Sequence, residues 1–143
     1  MTDDVEPPHT SYVLWYCPRS GSNLACDLLR FTERAGDPHE LFSPIRVLNF
    51  LRHYEVDDHG EAQQALWNAG TTAGVFGMKS QMINPNYGFV LDTLKQFPGA
   101  DALEDDEAKL WSNAFPNCHH IAVTRRNKVR QAVSWFRATA SKE

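Results

Sequence analysis

The sequence predicts an α/β domain in which a mainly parallel β-sheet carries helices on both faces. Three apolar stretches of strand type, at residues 11–16, 72–80 and 118–124, alternate with segments whose apolar residues recur at helical spacing. Polar or charged residues follow each stretch, and in sheets of this kind ligands bind beyond the carboxyl ends of the strands. The length of 143 residues suits a single domain.

The first unit consists of a strand, a glycine-containing loop and a helix. Residues 11–16, SYVLWY, are β-branched, aromatic and almost continuously apolar, which is typical of a buried strand. The loop CPRSGS comes next, and after it Leu24, Leu28 and Phe31 recur at helical spacing. We therefore predict a helix over residues 23–35, with Gly36 as its stop signal.

The rest of the chain continues the alternation of helices and strands. The glycine-rich strand at 72–80 is expected to pack closely against its neighbours. The predicted helices cover residues 45–54 and 61–69, then NPN to about residue 97, a segment from about residue 103, and residues 129 to the end.

The charge distribution limits the possible partners. A net charge of −4 argues against a general nucleic-acid-binding protein, which would normally carry a basic face. Basic residues nevertheless cluster between Arg125 and Arg137, immediately after the third predicted strand. The composition is therefore compatible with a local anion site.

The cysteines and the N-terminal residues indicate the cellular compartment in which we expect the protein. Cys17, Cys26 and Cys118 form no CxxC pair, and no histidine spacing suggests a metal site, so we expect reduced cysteines and no metal. Residues 1–10 are acidic and contain proline, unlike a secretory signal, and are expected to form a flexible lead. No apolar run approaches the ~20 residues of a membrane span, and we expect a cytoplasmic protein.

The loop after the first strand has the composition of an anion site. A helix N-terminus offers free N–H groups and about half a positive charge. Gly21 allows close approach of the backbone, Ser20, Ser22 and Asn23 can donate from their side chains, and Arg19 supplies a forked cation. The lysine of a Walker A loop is missing, which argues against an ATPase. The alternative is an ordinary strand–helix turn capped by Ser22 or Asn23.

A second candidate segment follows the third strand. Arg126 lies at the predicted strand end, and Ser134 lies about two turns into the next helix, so that both could flank one anion. The alternative is a solvated basic helix face, which is common in globular proteins.

Together these segments resemble sulfotransferases that use 3′-phosphoadenosine 5′-phosphosulfate (PAPS), in particular the bacterial trehalose 2-sulfotransferase family. The loop RSGSN, residues 19–23, is similar to the family's RSGS(T/S) loop, with Asn23 in the last position. GDPHELF, residues 36–42, is similar to its GEP-x-E-F segment, and VFGMKSQM to an FGxK segment. Arg126, Asn127 and Ser134 match the order and spacing of an RN…S pattern.

The resemblance implies a P-loop-like three-layer α/β/α sandwich with a mainly parallel sheet over residues 11–143. Family members are longer, so we expect this chain to represent the N-terminal portion of the family fold. The implied activity is sulfuryl transfer from PAPS, without a metal, to a hydroxyl of a carbohydrate or glycolipid, trehalose-like by analogy. A non-catalytic domain that binds PAP or PAPS is the alternative. The resemblance also suggests a homodimer.

The resemblance further implies roles for individual residues. Glu40 would be the general base, and Arg19 would neutralise charge on the leaving phosphate. Lys79 and His39 are candidates on the substrate side, and His39 is also a rival base. The donor-binding residues implied are Arg19, Ser20, Gly21, Ser22 and Asn23 for the 5′-phosphosulfate, and Arg126 and Ser134 for the 3′-phosphate.

Overall fold

The computed structural model describes residues 5–141, which form four strands and seven helices. The strands are β1 (Thr10–Tyr16), β2 (Thr71–Thr72), β3 (Val75–Gln81) and β4 (Cys118–Val123). The helices are α1 (Ser22–Phe31), α2 (Pro44–Leu48), α3 (Phe50–Tyr54), α4 (His59–Gly70), α5 (Tyr87–Leu94), α6 (Glu107–Ala114) and α7 (Lys128–Ala140). Across residues 5–141, none of these helices combines the length and the apolar character of a membrane-crossing segment.

The four strands form one sheet in the order β2-β3-β1-β4. The central strand β1 pairs in parallel with β3 and with β4, and only the short β2 runs antiparallel. This arrangement confirms the predicted α/β class with a mainly parallel sheet. Tyr16 at the end of β1 lies in register with Gln81 of β3 and Val123 of β4. The loops after all three strands therefore emerge at one edge of the sheet.

The two faces of the sheet bury alternate side chains of β1. Tyr12 and Leu14 pack with Cys26 of α1 on one face. Val13 lies on the other face, in a larger core to which α2 to α6 contribute. Aromatic rings dominate that core, as in the stack of Phe76 on Phe115, whose centroids are 4.6 Å apart. Burial on both faces produces the helix–sheet–helix layering.

The strand predicted at residues 72–80 is a hairpin in the structure. Ala73 and Gly74 both have positive φ, 53° and 77°, and they reverse the chain between β2 and β3. A two-residue loop with positive φ at both positions is the type I′ turn that suits the twist of antiparallel strands. The sequence prediction was wrong here because alanine rarely adopts this conformation.

The first helix ends earlier than predicted, at Phe31 rather than at residue 35. The hydroxyl of Thr32 accepts hydrogen bonds from the backbone N–H groups of Arg34 and Ala35, at 3.2 and 3.1 Å. Glu33 between them adopts a positive φ of 55°. A local side-chain bond therefore competes with the helix and terminates it before Gly36.

Two other helix predictions also differ from the structure. The helix expected at 45–54 is divided into α2 and α3 at Asn49, whose φ of −133° is not helical. The helix expected from residue 103 begins at Glu107, because the Asp106 carboxylate caps it by accepting from the Ala108 N–H at 3.0 Å. Leu103 is left exposed in the preceding loop.

The N-terminal lead was predicted over residues 1–10. Residues 1–4 of this segment, like residues 142–143, lie outside the described residues. At its other end, the His9 N–H donates to the Gly74 carbonyl at 3.0 Å, and Thr10 already belongs to β1. The sheet therefore begins at the last residue of the predicted lead.

One side of the fold carries exposed apolar groups. β4 pairs only with β1 in the described sheet, and Ile121 in β4 is largely exposed. Across its residues 128–140, α7 buries no side chain, and Trp135 and Phe136 are 53% and 73% exposed.

Candidate active site

The loop between β1 and α1 presents a helix N-terminus without a side-chain cap. Gly21 is the N-cap residue, with φ 93°, and no side chain bonds to the first turn. The first amide that bonds back is that of Ala25, which donates to the Gly21 carbonyl at 3.1 Å. The N–H groups of residues 22–24 thus have no partner within the helix. A Cβ added to Gly21 would meet nothing within 4 Å, so this terminus is accessible to a ligand.

Two residues of the same loop carry conformational or desolvation costs. Arg19 has a φ of 63°, in the left-handed region that an arginine seldom adopts, which costs about 1–3 kcal/mol. The Ser20 hydroxyl is buried and has no hydrogen-bond partner among the described residues. An unsatisfied buried hydroxyl costs about 1–3 kcal/mol, and an oxyanion is the kind of acceptor that would satisfy it.

Helix α7 is bound directly to this loop. The Nε of Arg19 donates to the Oγ of Ser134 at 2.8 Å, although the two residues are 115 positions apart in the sequence. The side-chain amide of Gln131 donates to the Pro18 carbonyl at 2.9 Å, and Arg125 reaches the Arg19 carbonyl at 3.5 Å. The two anion segments predicted from the sequence therefore meet in one place.

Two adjoining cavities lie between the loop and α7. The smaller, about 250 Å³, is lined by Arg19, Gly21, Ser22, Asn23, Arg125 and Ser134. The larger, about 740 Å³, shares three of these residues and continues along α7 past Arg130 and Arg137. Both linings contain arginines and neither contains an acidic residue. Their positive potential suits an anionic ligand with two separated charges.

The structure places Arg126 differently from its neighbour Arg125. Arg125 is half-buried and lines both cavities. Arg126, which the sequence pattern selects, is exposed, and neither cavity lining includes it. The structure therefore brings Ser134 to the loop after β1 together with Arg125, while Arg126 lies exposed in the segment before α7.

Glu40 lies beside the end of β1, on the same face of the sheet as α1. Its Oε1 accepts a hydrogen bond from the Tyr16 hydroxyl at 3.1 Å. Arg46 fixes its backbone by donating to the Glu40 carbonyl at 2.8 Å. Burial raises the pKa of Tyr16 to about 12, so this hydroxyl keeps its proton at neutral pH. Glu40 itself is partly exposed and open to a substrate.

Lys79 connects the Glu40 region to the anion loop. Its Nζ donates to the Asn23 Oδ1 at 2.5 Å and lies 5.1 Å from the centroid of the Tyr16 ring. Asn23 in turn lines the smaller cavity. A cation therefore lies between the carboxylate and the helix N-terminus.

His39 is bound to the protein at both ring nitrogens. Nε2 lies 3.0 Å from the Ala69 carbonyl, and Nδ1 lies 3.5 Å from Asp37. Arg30 pairs with Asp37 and approaches the same ring nitrogen at 3.4 Å. These contacts join the segment that carries Glu40 to α1 and α4, which is a structural role.

Sequence reasoning missed three residues of the site, namely Tyr16, Arg125 and Gln131. A signal existed for Tyr16, since alternation along β1 places its side chain on the face of α1 at the carboxyl end. Arg125 stands next to Arg126, which the RN…S pattern selects instead, and Gln131 is one of several polar residues on α7, so no local pattern selected either residue. No group of His, Cys, Asp and Glu able to hold a metal ion occurs between residues 5 and 141.

Comparison with protein-family models gives a match over most of the chain. A protein-family model described as Stf0 sulphotransferase matches residues 11–142, which include the anion loop, Glu40, Lys79 and α7. A search of curated proteins found no match to the chain.

Proposed function

The chain belongs to the Stf0 sulphotransferase family, and on that premise we propose that it transfers a sulfuryl group from PAPS to a hydroxyl of a carbohydrate or glycolipid. Trehalose is the acceptor suggested by the resemblance of its motifs. Within the part of the chain that is described, no helix is long and apolar enough to cross a membrane. We also propose that the protein is bacterial and cytoplasmic.

The observation that carries this proposal is the contact between Arg19 and Ser134. It brings the uncapped N-terminus of α1 and the basic helix α7 to opposite sides of a common cavity. A nucleotide with phosphate groups at both its 5′ and 3′ positions requires two anion sites at a fixed separation. Oriented N–H groups and arginines are the donors that such groups bind most strongly.

The 5′-phosphosulfate is assigned to the loop after β1. Ser20 offers an unsatisfied buried hydroxyl, Gly21 leaves the helix terminus open, and Ser22 and Asn23 line the cavity. Arg19 can neutralise charge on the 5′-phosphate as it leaves. These residues supply a set of donors that fits a phosphosulfate group without a metal.

The 3′-phosphate is assigned to Arg126 and Ser134, as the RN…S pattern suggests. Ser134 faces Arg19 and lines both cavities, which supports its part in this assignment. Arg126 would have to turn toward the cavity from its exposed position, next to the guanidinium of Arg125. Arginine suits this task because its planar fork matches a phosphate in two hydrogen bonds.

Glu40 is assigned as the general base for an in-line displacement. As the acceptor oxygen bonds to sulfur, its proton passes to the carboxylate of Glu40. The bond between sulfur and the bridging oxygen of the donor breaks, and that oxygen leaves as part of PAP. The carboxylate acts late, when the acceptor hydroxyl has become acidic. Such assistance is typically worth 10²–10⁴-fold.

Lys79 and His39 are assigned to the substrate side. Lys79 lies between Asn23 and Tyr16, where its charge can stabilise negative charge on the sulfuryl oxygens. His39 supports the segment before Glu40 through Ala69 and Asp37, so its effect on the acceptor would be indirect.

We further propose a homodimer, which the exposed apolar residues of α7 would favour and sedimentation equilibrium would test.

Turnover and binding measured together test the function. We expect the purified chain to transfer label from radiolabelled PAPS to a sugar in a panel of disaccharides and glycolipids. Glu40→Gln is expected to lower turnover by about 10²-fold or more and to leave PAP affinity, measured by calorimetry, unchanged.

Two results would contradict this proposal in different ways. PAP binding without transfer by the wild-type chain would show a non-catalytic nucleotide-binding domain. Absence of PAP binding to a folded sample would refute the assignment of the donor site itself.

A further inference from the structure

The side chain of Glu40 contacts Tyr16, a residue that lies outside the GDPHELF segment and the other family-like motifs. The Tyr16 hydroxyl donates to the Glu40 Oε1 at 3.1 Å, and it is the one hydrogen bond to this carboxylate among the described residues. Tyr16 is only 7% exposed and is the last residue of β1, directly before the anion loop. Its position is therefore determined by the rigid centre of the sheet.

The backbone next to Glu40 is held independently of its side chain. The Lys79 N–H donates to the His39 carbonyl at 2.9 Å, which attaches this segment to β3. Arg46 donates to the Glu40 carbonyl at 2.8 Å. These two contacts fix where the side chain begins but not where its carboxylate lies. That orientation is left to the hydroxyl of Tyr16.

The ring of Tyr16 also contacts the cation of the site. The Lys79 Nζ lies 5.1 Å from the ring centroid while it donates to Asn23 at 2.5 Å. A cation over an aromatic face is attracted by the quadrupole of the ring. One buried side chain thus sets the relative position of a carboxylate and an ammonium group.

We infer that Tyr16 is a positioning residue that orients Glu40 for proton transfer and holds Lys79 beside the anion loop. The inference rests on the proposed function, in which Glu40 is the base. With Oε1 held by Tyr16, Oε2 is left to accept the proton of the acceptor hydroxyl. The hydroxyl of Tyr16 remains protonated throughout and takes no proton in the reaction.

The matched test compares Tyr16→Phe with Tyr12→Phe. The two tyrosines lie on the same face of β1 with 7% and 8% exposure, and the Tyr12 hydroxyl donates to the Ala35 carbonyl at 2.5 Å. Each change removes one buried hydroxyl and keeps the ring. We expect Tyr16→Phe to lower kcat by about 10-fold with KM for PAPS unchanged, and Tyr12→Phe to leave both constants near the wild-type values.

A double-mutant cycle separates positioning from a structural effect. If Tyr16 acts through Glu40, Tyr16→Phe should cause no further loss of kcat in a Glu40→Gln background. An equal loss of kcat in both backgrounds would overturn the inference, and so would an unchanged kcat in Tyr16→Phe. In either case, sulfate transfer by the wild type would still support the proposed function. Failure of the wild type to transfer sulfate would overturn the proposed function and the positioning role together.

Discussion

At the residue scale, Arg19 illustrates why an arginine can stand where a nucleotide-binding loop would have a lysine. Its Nε is already bound to Ser134, and its terminal nitrogens make no hydrogen bond within residues 5–141. A guanidinium can therefore position α7 and contact an anion at the same time. The three N–H donors of a lysine share one nitrogen, so a lysine could serve both acceptors only if they lay around a single point. Arg19 makes this contact with Ser134 from a backbone of positive φ, 63°.

The residue scale also offers a direct test of the 3′-phosphate assignment. Arg126→Ala is expected to weaken PAP binding by about 10-fold, the loss of one charge-assisted hydrogen bond. Binding of adenosine 5′-monophosphate, which lacks the 3′-phosphate, should stay the same. Calorimetric titration of both nucleotides against wild type and variant measures this difference.

Arg125→Ala is the comparison variant for that experiment, because Arg125 lines both cavities in the structure. Selective loss of PAP binding in Arg125→Ala, with none in Arg126→Ala, would transfer the role to Arg125. Equal losses for both nucleotides would show that neither residue is specific for the 3′-phosphate.

At the scale of elements, close packing of β1 against β3 stabilises the fold. Tyr12 of β1 lies in register with Gly77 of β3, and its ring lies over this glycine. The hydroxyl of Tyr12 then reaches the Ala35 carbonyl at 2.5 Å, where the chain turns back after α1. The glycine in this strand thus allows the close packing that joins the end of α1 to the sheet.

Gly77→Ala is expected to destabilise the protein by about 1–3 kcal/mol, the usual cost of overpacking. A Cβ at this position would overlap the hydroxyl and ring of Tyr12, which is only 8% exposed. Urea unfolding followed by circular dichroism gives the free energy of unfolding.

Gly88→Ala is the matched control for that prediction. Gly88 lies exposed in α5, and an added Cβ would meet nothing within 4 Å. Alanine is favoured over glycine in a helix by up to about 1 kcal/mol, so this variant should be neutral or more stable. Equal destabilisation by both changes would show that the close approach at Gly77 is not the cause.

At the scale of the whole molecule, the site depends on the topology of the sheet. Because β1 is central and pairs in parallel with β3 and β4, the loops after three distant strands converge at one edge. Arg19 lies in the loop after β1, Lys79 lies near the end of β3, and Ser134 lies in the helix that follows β4. Only the folded chain brings them into contact, so binding of the donor should stabilise the fold as a unit.

The whole fold should lose stability at alkaline pH. Burial raises the pKa of Tyr16, Tyr54 and Tyr87 from 10.0 to about 12. Between these values the unfolded chain releases the phenolic protons that the folded chain retains, so the unfolded state binds fewer protons and is favoured. We expect the free energy of unfolding to be unaffected by these groups below about pH 10 and to fall as the pH rises toward about 12.

Urea midpoints at a series of pH values, with tyrosinate absorbance recorded in parallel, measure this decline. Tyr54→Phe removes one such group, whose hydroxyl donates to the Leu41 carbonyl at 2.8 Å, and should make the decline shallower. A stability that is constant across this pH range, or the same slope in the variant, would contradict the assignment to buried tyrosines.

Local sequence patterns predicted most elements correctly but not all of their ends. Adjacent residues were enough to predict the apolar stretch of β1, the composition of the loop after it and the alternation of strands with helices. Boundaries at Thr32, Ala73 and Asp106 depend on single side-chain bonds or on an unusual φ. Secondary-structure propensity does not take account of single side-chain bonds or unusual φ values. The predictions therefore misplaced the ends of these elements.

The α/β class, the candidate anion loop at Arg19 to Asn23 and the family could all be predicted from the sequence, because each depends on residue types at short spacing. The contact of Arg19 with Ser134, the hydrogen bond of Tyr16 to Glu40 and the presence of Arg125 rather than Arg126 in the cavity linings become visible only in the folded chain. Each of these features joins residues on different elements. Strand order and packing, which no local pattern encodes, set the distances between those elements.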